Sequence, residues 1–405
     1  MTDSFWSLIT TPWALQSDTL LGAALLALLA ALTGEIVWRA LRWPRMFGYS
    51  LVGTALALAS HGASGHEPAL RVAIDGALAL LLFEAGARLN LRWLALNPWL
   101  LATSILEAAL AGAAVWLALR WLTITPDIAA PLAVIAAGVS PAVLQRVTGE
   151  LHAAGQVTER LLALATLNTL YAVLAMKLLS AGLLLSDPAT WVEALSPVLF
   201  SFCGSILLGA ALGEGLALIA RRFDLREDNA MVLLLAAVLL ALVIAKTLQL
   251  STLLVPLLAG IWLRNRSERP WVWPRHFGSA GGVLVLFVAV ASTWRLDTIG
   301  ASIGIAAALV LARALAKAGA VLLLARPSGL GLGQALCLGT ALLPMSATAW
   351  VLALDFSTRH AAAGAQLMPV LLASLALVEL AAPLVVMASL RAAGEVDVQR
   401  KGRAP

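Results

Sequence analysis

Long uncharged runs leave this chain few ways to fold. At a rise of about 1.5 Å per residue, a helix needs about 20 apolar residues to cross the hydrocarbon core of a bilayer. Runs of that order recur thirteen times, over residues 19–40, 44–60, 68–88, 98–121, 127–147, 158–184, 195–220, 228–246, 249–264, 277–294, 298–325, 331–354 and 364–390. In lipid the backbone must satisfy its own N–H and C=O groups, so runs of this kind fold as helices. Because 61% of the residues are apolar and 12% charged, with a mean hydropathy of +0.92, little of the 405-residue chain remains for anything else. The expected fold class is an all-α polytopic membrane protein of about 13 transmembrane helices. It forms a single transmembrane domain over 1–405 with no soluble regulatory domain. The formal charge of +5 then reflects basic loops at a membrane face and does not argue for nucleic acid.

Those basic residues also orient the chain. With the N-terminus outside, the inner loops and tail hold nineteen Lys and Arg, and the outer loops hold five: Arg71, Arg120, Lys246, Arg295 and Arg359. The asymmetry predicts an outer N-terminus and a cytoplasmic C-terminus, in the cell's inner (plasma) membrane. The opening MTDSFWSLITTPW has no basic region followed by a small-residue cleavage site, so Met1 onward is read as mature chain. Tryptophans near span ends, such as Trp38, Trp43, Trp93 and Trp121, read as interfacial anchors.

Two of the runs are interrupted where lipid tolerates no interruption. The fifth carries Gly138, Ser140 and Pro141 mid-span, and the twelfth carries Leu343-Pro344-Met345-Ser346. Proline has no N–H and its ring crowds the preceding turn, so both helices are expected to break there and to cross each other. Spans 1–6 and 8–13 are offset by seven, which inverts the second set relative to the first. Gly/Pro-broken segments at matching positions of two inverted halves are the sequence pointer to a transport site near the midplane. Beside the first break, the sixth span carries Asn168 and Thr169.

At this point the chain resembles the monovalent cation:proton antiporter superfamily, the sodium or potassium/proton exchangers. The segment from Leu41 to Tyr49 with Val52-Gly53 is similar to the family's LPRVLGYLLAG opening, and Leu81 to Gly86 with Leu91 to Leu94 to its LLFEAGLELDLRDL helix. Ala136 to Val143 stands where the family has AATDPAVV, and Leu167-Asn168-Thr169 where it has LND or LDD. Arg313 to Lys317 matches the basic helix, and Gln334 to Val351 the second broken helix. The resemblance implies secondary active exchange of a monovalent cation (Na+ or K+) for protons. It also implies a core of helices over about 98–184 and 298–390 moving against a scaffold and dimer part over about 19–88 and 195–294, as a homodimer. The departures fall on the chemistry, so the site is expected to be non-standard. The family's ion-carrying Asp of the sixth helix is Thr169 here, and the Asp of its TDP motif is Ser140. A threonine hydroxyl does not ionise at biological pH, whereas a carboxylate can take either a cation or a proton.

The remaining intramembrane charges are therefore weighed one by one. Glu107 is mid-span in the fourth run; Arg313 and Lys317 lie four apart on one face of the eleventh, its repeat partner. An unpaired charge in hydrocarbon is costly, so Glu107 is expected to pair with Lys317 or Arg313, as a proton-linked pair or as a strut between the halves. Glu379, deep in the thirteenth run, is a candidate cavity-lining residue. Glu84 with Arg88 and Glu35 with Arg39 read as i,i+4 pairs, and Lys177 as reaching for the outer interface. The expected substrate site is thus Ser140, Asn168, Thr169, Ser346, Glu107, Arg313, Lys317 and Glu379. No metal centre and no cofactor is expected. His61 and His66 are too few for a metal, Gly329, Gly331 and Gly333 follow no strand, and Cys203 and Cys337 sit in apolar runs. The partners expected are a monovalent cation and protons in a lipid bilayer. The alternatives are an anionic solute, because the core keeps cations where carboxylates are lost, or a transport-inactive membrane scaffold. No Ser/His or His/Glu constellation supports an enzyme.

Overall fold

A computed structural model describes residues 19–59, 68–183, 191–222, 227–266, 296–345 and 347–396. These residues form fifteen helices and no strand. In chain order they are α1 (Thr19–Leu41), α2 (Arg45–Ala59), α3 (Pro68–Arg88), α4 (Leu91–Leu96), α5 (Pro98–Trp121), α6 (Pro126–Ala137), α7 (Pro141–Glu150), α8 (Gln156–Leu183), α9 (Trp191–Arg222), α10 (Glu227–Thr247), α11 (Leu254–Arg266), α12 (Leu296–Leu323), α13 (Leu332–Ala341), α14 (Ala347–Arg359) and α15 (Ala361–Ala392). Twelve of the thirteen expected runs fall on these helices. The run 277–294 lies outside the described residues, as do His61, His66 and Ser346.

Proline marks the helix starts. Pro98, Pro126 and Pro141 each occupy the first turn of their helix, where a missing N–H has no intrahelical partner to lose. Among the described residues seven stretches are long and apolar enough to cross a membrane, with α6 and α7 together counting as one. Other helices are shorter or carry charge near their ends, as α3 does at Asp75, Glu84 and Arg88. The short α4 has no counterpart in the sequence reading. Six residues are too few for a period, and it starts because the Asn90 side chain accepts a hydrogen bond from Trp93 N at 3.1 Å.

Packing places two broken pairs at the centre. α5 lies along α12, α15 packs against α12 and against both α13 and α14, and α8 is wedged against α3, α5, α6, α7, α13 and α14. One large apolar cluster joins these helices, from Leu100 and Leu119 through Leu164, Leu342 and Leu371. A smaller cluster ties α3, α9, α10 and α11 through Phe83, Leu216, Leu234 and Leu263. α3 and α11 meet through Gly86 and Gly260. A methyl on Gly86 would run into the carbonyl of Leu257, and one on Gly260 into that of Phe83, so only glycine allows this approach. The outer surface is apolar, with Ile36 of α1 64% exposed and Leu207 of α9 71% exposed, as a wall facing hydrocarbon must be.

Candidate functional site

The site grows out of the two helix breaks. α6 stops at Ala137, Gly138 and Ser140 run extended, and α7 starts at Pro141. The second helix break falls between Ala341, where α13 ends, and Ala347, where α14 starts. The breaks meet, with Ser140 N donating to Pro344 O at 3.0 Å. The final carbonyls of a helix have no helical donor and carry its negative dipole end. Arg313, fully buried on α12, supplies both what they need. It donates from Nε to Ala136 O at 2.7 Å, from Nη2 to Gly138 O at 2.7 Å and Pro344 O at 3.3 Å, and from Nη1 to Leu343 O at 2.6 Å. One guanidinium thus binds both interrupted helices.

One turn on, Lys317 does for a side chain what Arg313 does for the backbone. Its Nζ lies 2.5 Å from Glu107 Oε2 and 2.9 Å from Ala137 O, and the pair is almost wholly shut from solvent, at 1% and 0% side-chain exposure. The other Glu107 oxygen accepts from Asn168 Nδ2. Glu107, Asn168 and Lys317 thus form one buried cluster from α5, α8 and α12, the ionic pair offset by two neutral partners. Asn168 Oδ1 is buried with no partner among the described residues. Thr169 turns the other way, its Oγ1 donating to Ala165 O at 3.0 Å and lying 3.3 Å from Val139 O in the first break.

Glu379 is not brought into this cluster. It is 2% exposed on α15, and neither carboxylate oxygen has a partner among the described residues. The i,i+4 pairs form as spaced: Arg88 with Glu84 and Arg39 with Glu35, both at 2.7 Å.

Two clefts approach the cluster from opposite ends of α8. One, of about 450 Å³, runs in from Arg88, Asn90, Gln156 and Arg160 and ends at Thr166. The other, of about 390 Å³, is lined by Asp75, Lys177, Lys246, Asp355 and Arg359 and reaches Val173. Asn168 and Thr169 lie in the closed stretch between, so this conformation seals the cluster from both sides. The Thr166 hydroxyl, 3.4 Å from Ala85 O, helps close it against α3.

A sodium/hydrogen exchanger transmembrane model matches residues 24–391. The chain belongs to the sodium/hydrogen exchanger family. Solved structures agree on the fold. The sodium/proton antiporter MjNhaP1 from Methanocaldococcus jannaschii at pH 8 is similar with a TM-score of 0.67 at 16% identity, over 94% of this chain and 98% of that one. An electron-microscopy structure of the same antiporter gives 0.66 at 15% identity, over 96% and 100%. No curated protein sequence matches the chain. This exchanger-family protein is therefore a multi-pass membrane transporter of the antiport class and not an enzyme. Its fold is the sodium/proton antiporter fold, with two discontinuous helices at the centre.

In this exchanger, sequence reasoning missed two features. It left Glu107 a choice between Lys317 and Arg313, and it paired Asn168 with neither. The four-residue spacing of Arg313 and Lys317 places both on one face but does not say which reaches the acid and which the carbonyls. That Asn168 points at Glu107, and Thr169 at the break, depends on the rotation of α8 about its axis.

Proposed function

We propose that this chain exchanges a monovalent cation, Na+ or K+, for protons, with Glu107, Asn168 and Lys317 carrying the exchange in place of the family's aspartates. The observation that carries the reading is the shared Glu107 carboxylate, held by Lys317 Nζ and Asn168 Nδ2 beside the meeting helix breaks. An incoming cation can take Glu107 Oε2 and the unpartnered Asn168 Oδ1. Lys317 then loses its counter-charge, and an unpaired buried ammonium is costly enough to shed its proton (–NH3+ to –NH2 plus H+) into cleft water. Reprotonation of Lys317 reverses the exchange. The site carries the same net charge in both loaded states, so one cation moves per proton. Ser140 and Thr169 line the same crossing, and Ser346 is assigned to it by its place in the second break.

The commitment of the two cations speaks against the anionic-solute alternative. Arg313 spends four hydrogen bonds on carbonyls and Lys317 is held by Glu107 and Ala137 O. At the crossing, then, neither is left to hold an anion. In the same reading α5–α8 and α12–α15 move against α1–α4 and α9–α11, opening the two clefts in turn. A homodimer is carried over from the family resemblance, and the basic-loop asymmetry supports an outer N-terminus and a cytoplasmic C-terminus in the inner membrane.

The test is Na+- or K+-driven proton flux in proteoliposomes. Wild-type flux should vanish in Glu107→Gln and in Lys317→Met, and Thr169→Asp should strengthen it. Robust antiport in the Glu107→Gln/Lys317→Met double variant would overturn the assignment. Uptake of an anionic solute, or a wild-type protein that moves no ion, would overturn the exchange reading itself.

A further inference from the structure

Among the described residues, Glu379 is a carboxylate buried deep in a long helix for which neither the Glu107 cluster nor an i,i+4 partner accounts. It sits in α15, 2% exposed, with both oxygens unbonded among the described residues. Four residues on comes Pro383, inside the same helix. Proline has no N–H, so the carbonyl of Glu379 also loses its helical donor. One residue in the membrane interior thus presents an unpaired carboxyl and a freed main-chain carbonyl together.

The charges around it are all engaged elsewhere. α15 is packed by α2, α6, α7, α12, α13 and α14. On α2 and α7, Arg45 pairs with Glu35 at 2.9 Å and Arg146 with Glu150 at 2.8 Å, with the Tyr49 phenol buried nearby on α2. On α12, Arg313 and Lys317 are held as described above, and on α14 Asp355 faces Arg359 at 3.7 Å. Asp127 is exposed at the start of α6, and α13 offers only the neutral Cys337. Among the described residues none of these bonds to Glu379. A buried charge with no cation or donor beside it among the described residues is costly, whereas a protonated carboxyl avoids that cost and gains an O–H able to donate to a freed carbonyl.

We propose that Glu379 is a second proton-binding site of this protein, loaded in the closed conformation and distinct from the Glu107–Lys317 pair. It ionises, COOH to COO⁻ plus H+, only when movement of the core helix α15 against α2 of the scaffold admits water or a cation. Proton binding and core conformation are thereby linked at this residue. The proton site stands on burial alone; its part in transport rests on the exchange reading given above.

Two measurements separate those claims. In lipid at neutral pH, the infrared spectrum should show a buried carboxylic-acid C=O band that Glu379→Gln removes and Glu107→Gln leaves in place. Because Gln mimics the protonated acid, Glu379→Gln should melt as the wild type does. An absent band, or a melting temperature lowered as in Glu107→Gln, would mean that Glu379 is ionised and paired, and would overturn the proposal. In proteoliposomes Glu379→Gln should flatten the pH dependence of cation-driven flux, and Glu379→Asp should restore part of it. A wild-type pH profile in Glu379→Gln would overturn the proposal and leave the exchange reading standing. If the wild type carries no flux, the exchange reading fails while the infrared band still decides Glu379.

Discussion

Replacing Glu107 with Gln keeps the shape of the side chain and removes only its charge. With Gln Oε1 turned to Lys317, its Nε2 would face the Asn168 amide. Asn168 can flip to offer its unpartnered Oδ1, so hydrogen bonding survives. What remains uncompensated is Lys317, 1% exposed, whose other bond among the described residues runs 2.9 Å to the neutral Ala137 carbonyl; whether it stays charged or gives up its proton, the fold loses stability. Removing one partner of a buried pair typically costs about 3–5 kcal/mol, whereas removing both is near neutral. One kcal/mol moves the melting temperature of a 150–250-residue domain by about 2–4 °C, and less in a longer chain, so a fall of about 3–10 °C is expected. The assay is a thermal melt of detergent-solubilised protein for the wild type, Glu107→Gln, Lys317→Met and the double variant. The double variant should recover most of the loss, with a coupling energy well above the few tenths of a kcal/mol seen for independent sites. Stability without flux in the double variant marks the pair as part of the transport chemistry, and flux that returns with stability marks it as a strut. If Glu107→Gln melts with the wild type, the ion pair contributes nothing and the reasoning is refuted.

Arg313→Lys should be far from conservative, because an ammonium cannot reach four carbonyls on two helix breaks at once; a melting temperature within about 1 °C of the wild type would contradict this. Gly86→Ala puts a methyl into the Leu257 carbonyl and should cost about 1–3 kcal/mol in the same melt, while Gly182→Ala, where a methyl meets nothing within 4 Å, should be tolerated. Glu395 caps the start of α8, accepting from Val157 N at 2.6 Å, Thr158 N at 2.7 Å and Thr158 Oγ1 at 2.7 Å. Glu395→Gln should therefore cost about 1 kcal/mol and speed hydrogen exchange at the amides of Val157 and Thr158.

Much of this architecture was legible in one dimension because a bilayer narrows the options. Apolar length bounds a span, and a missing N–H costs nothing in a first turn, which is where Pro98, Pro126 and Pro141 fall, although Pro131 and Pro383 sit inside α6 and α15. Pro141 and Pro344 also locate the two breaks, since a lost N–H and a ring clash are local facts of covalent geometry. The family resemblance and the loss of its aspartates at Ser140 and Thr169 are likewise written in the order of residues. Tertiary structure alone decided how the charges pair. Whether Arg313 or Lys317 meets Glu107 depends on the axial register of α12 against α5, and a shift of one turn would exchange their roles. Whether Asn168 or Thr169 faces Glu107 depends on the rotation of α8. Those two rigid-body parameters come from packing over whole helices, so no motif encodes them. They place Lys317 on the acid, Arg313 on the broken backbone and Glu379 apart from both.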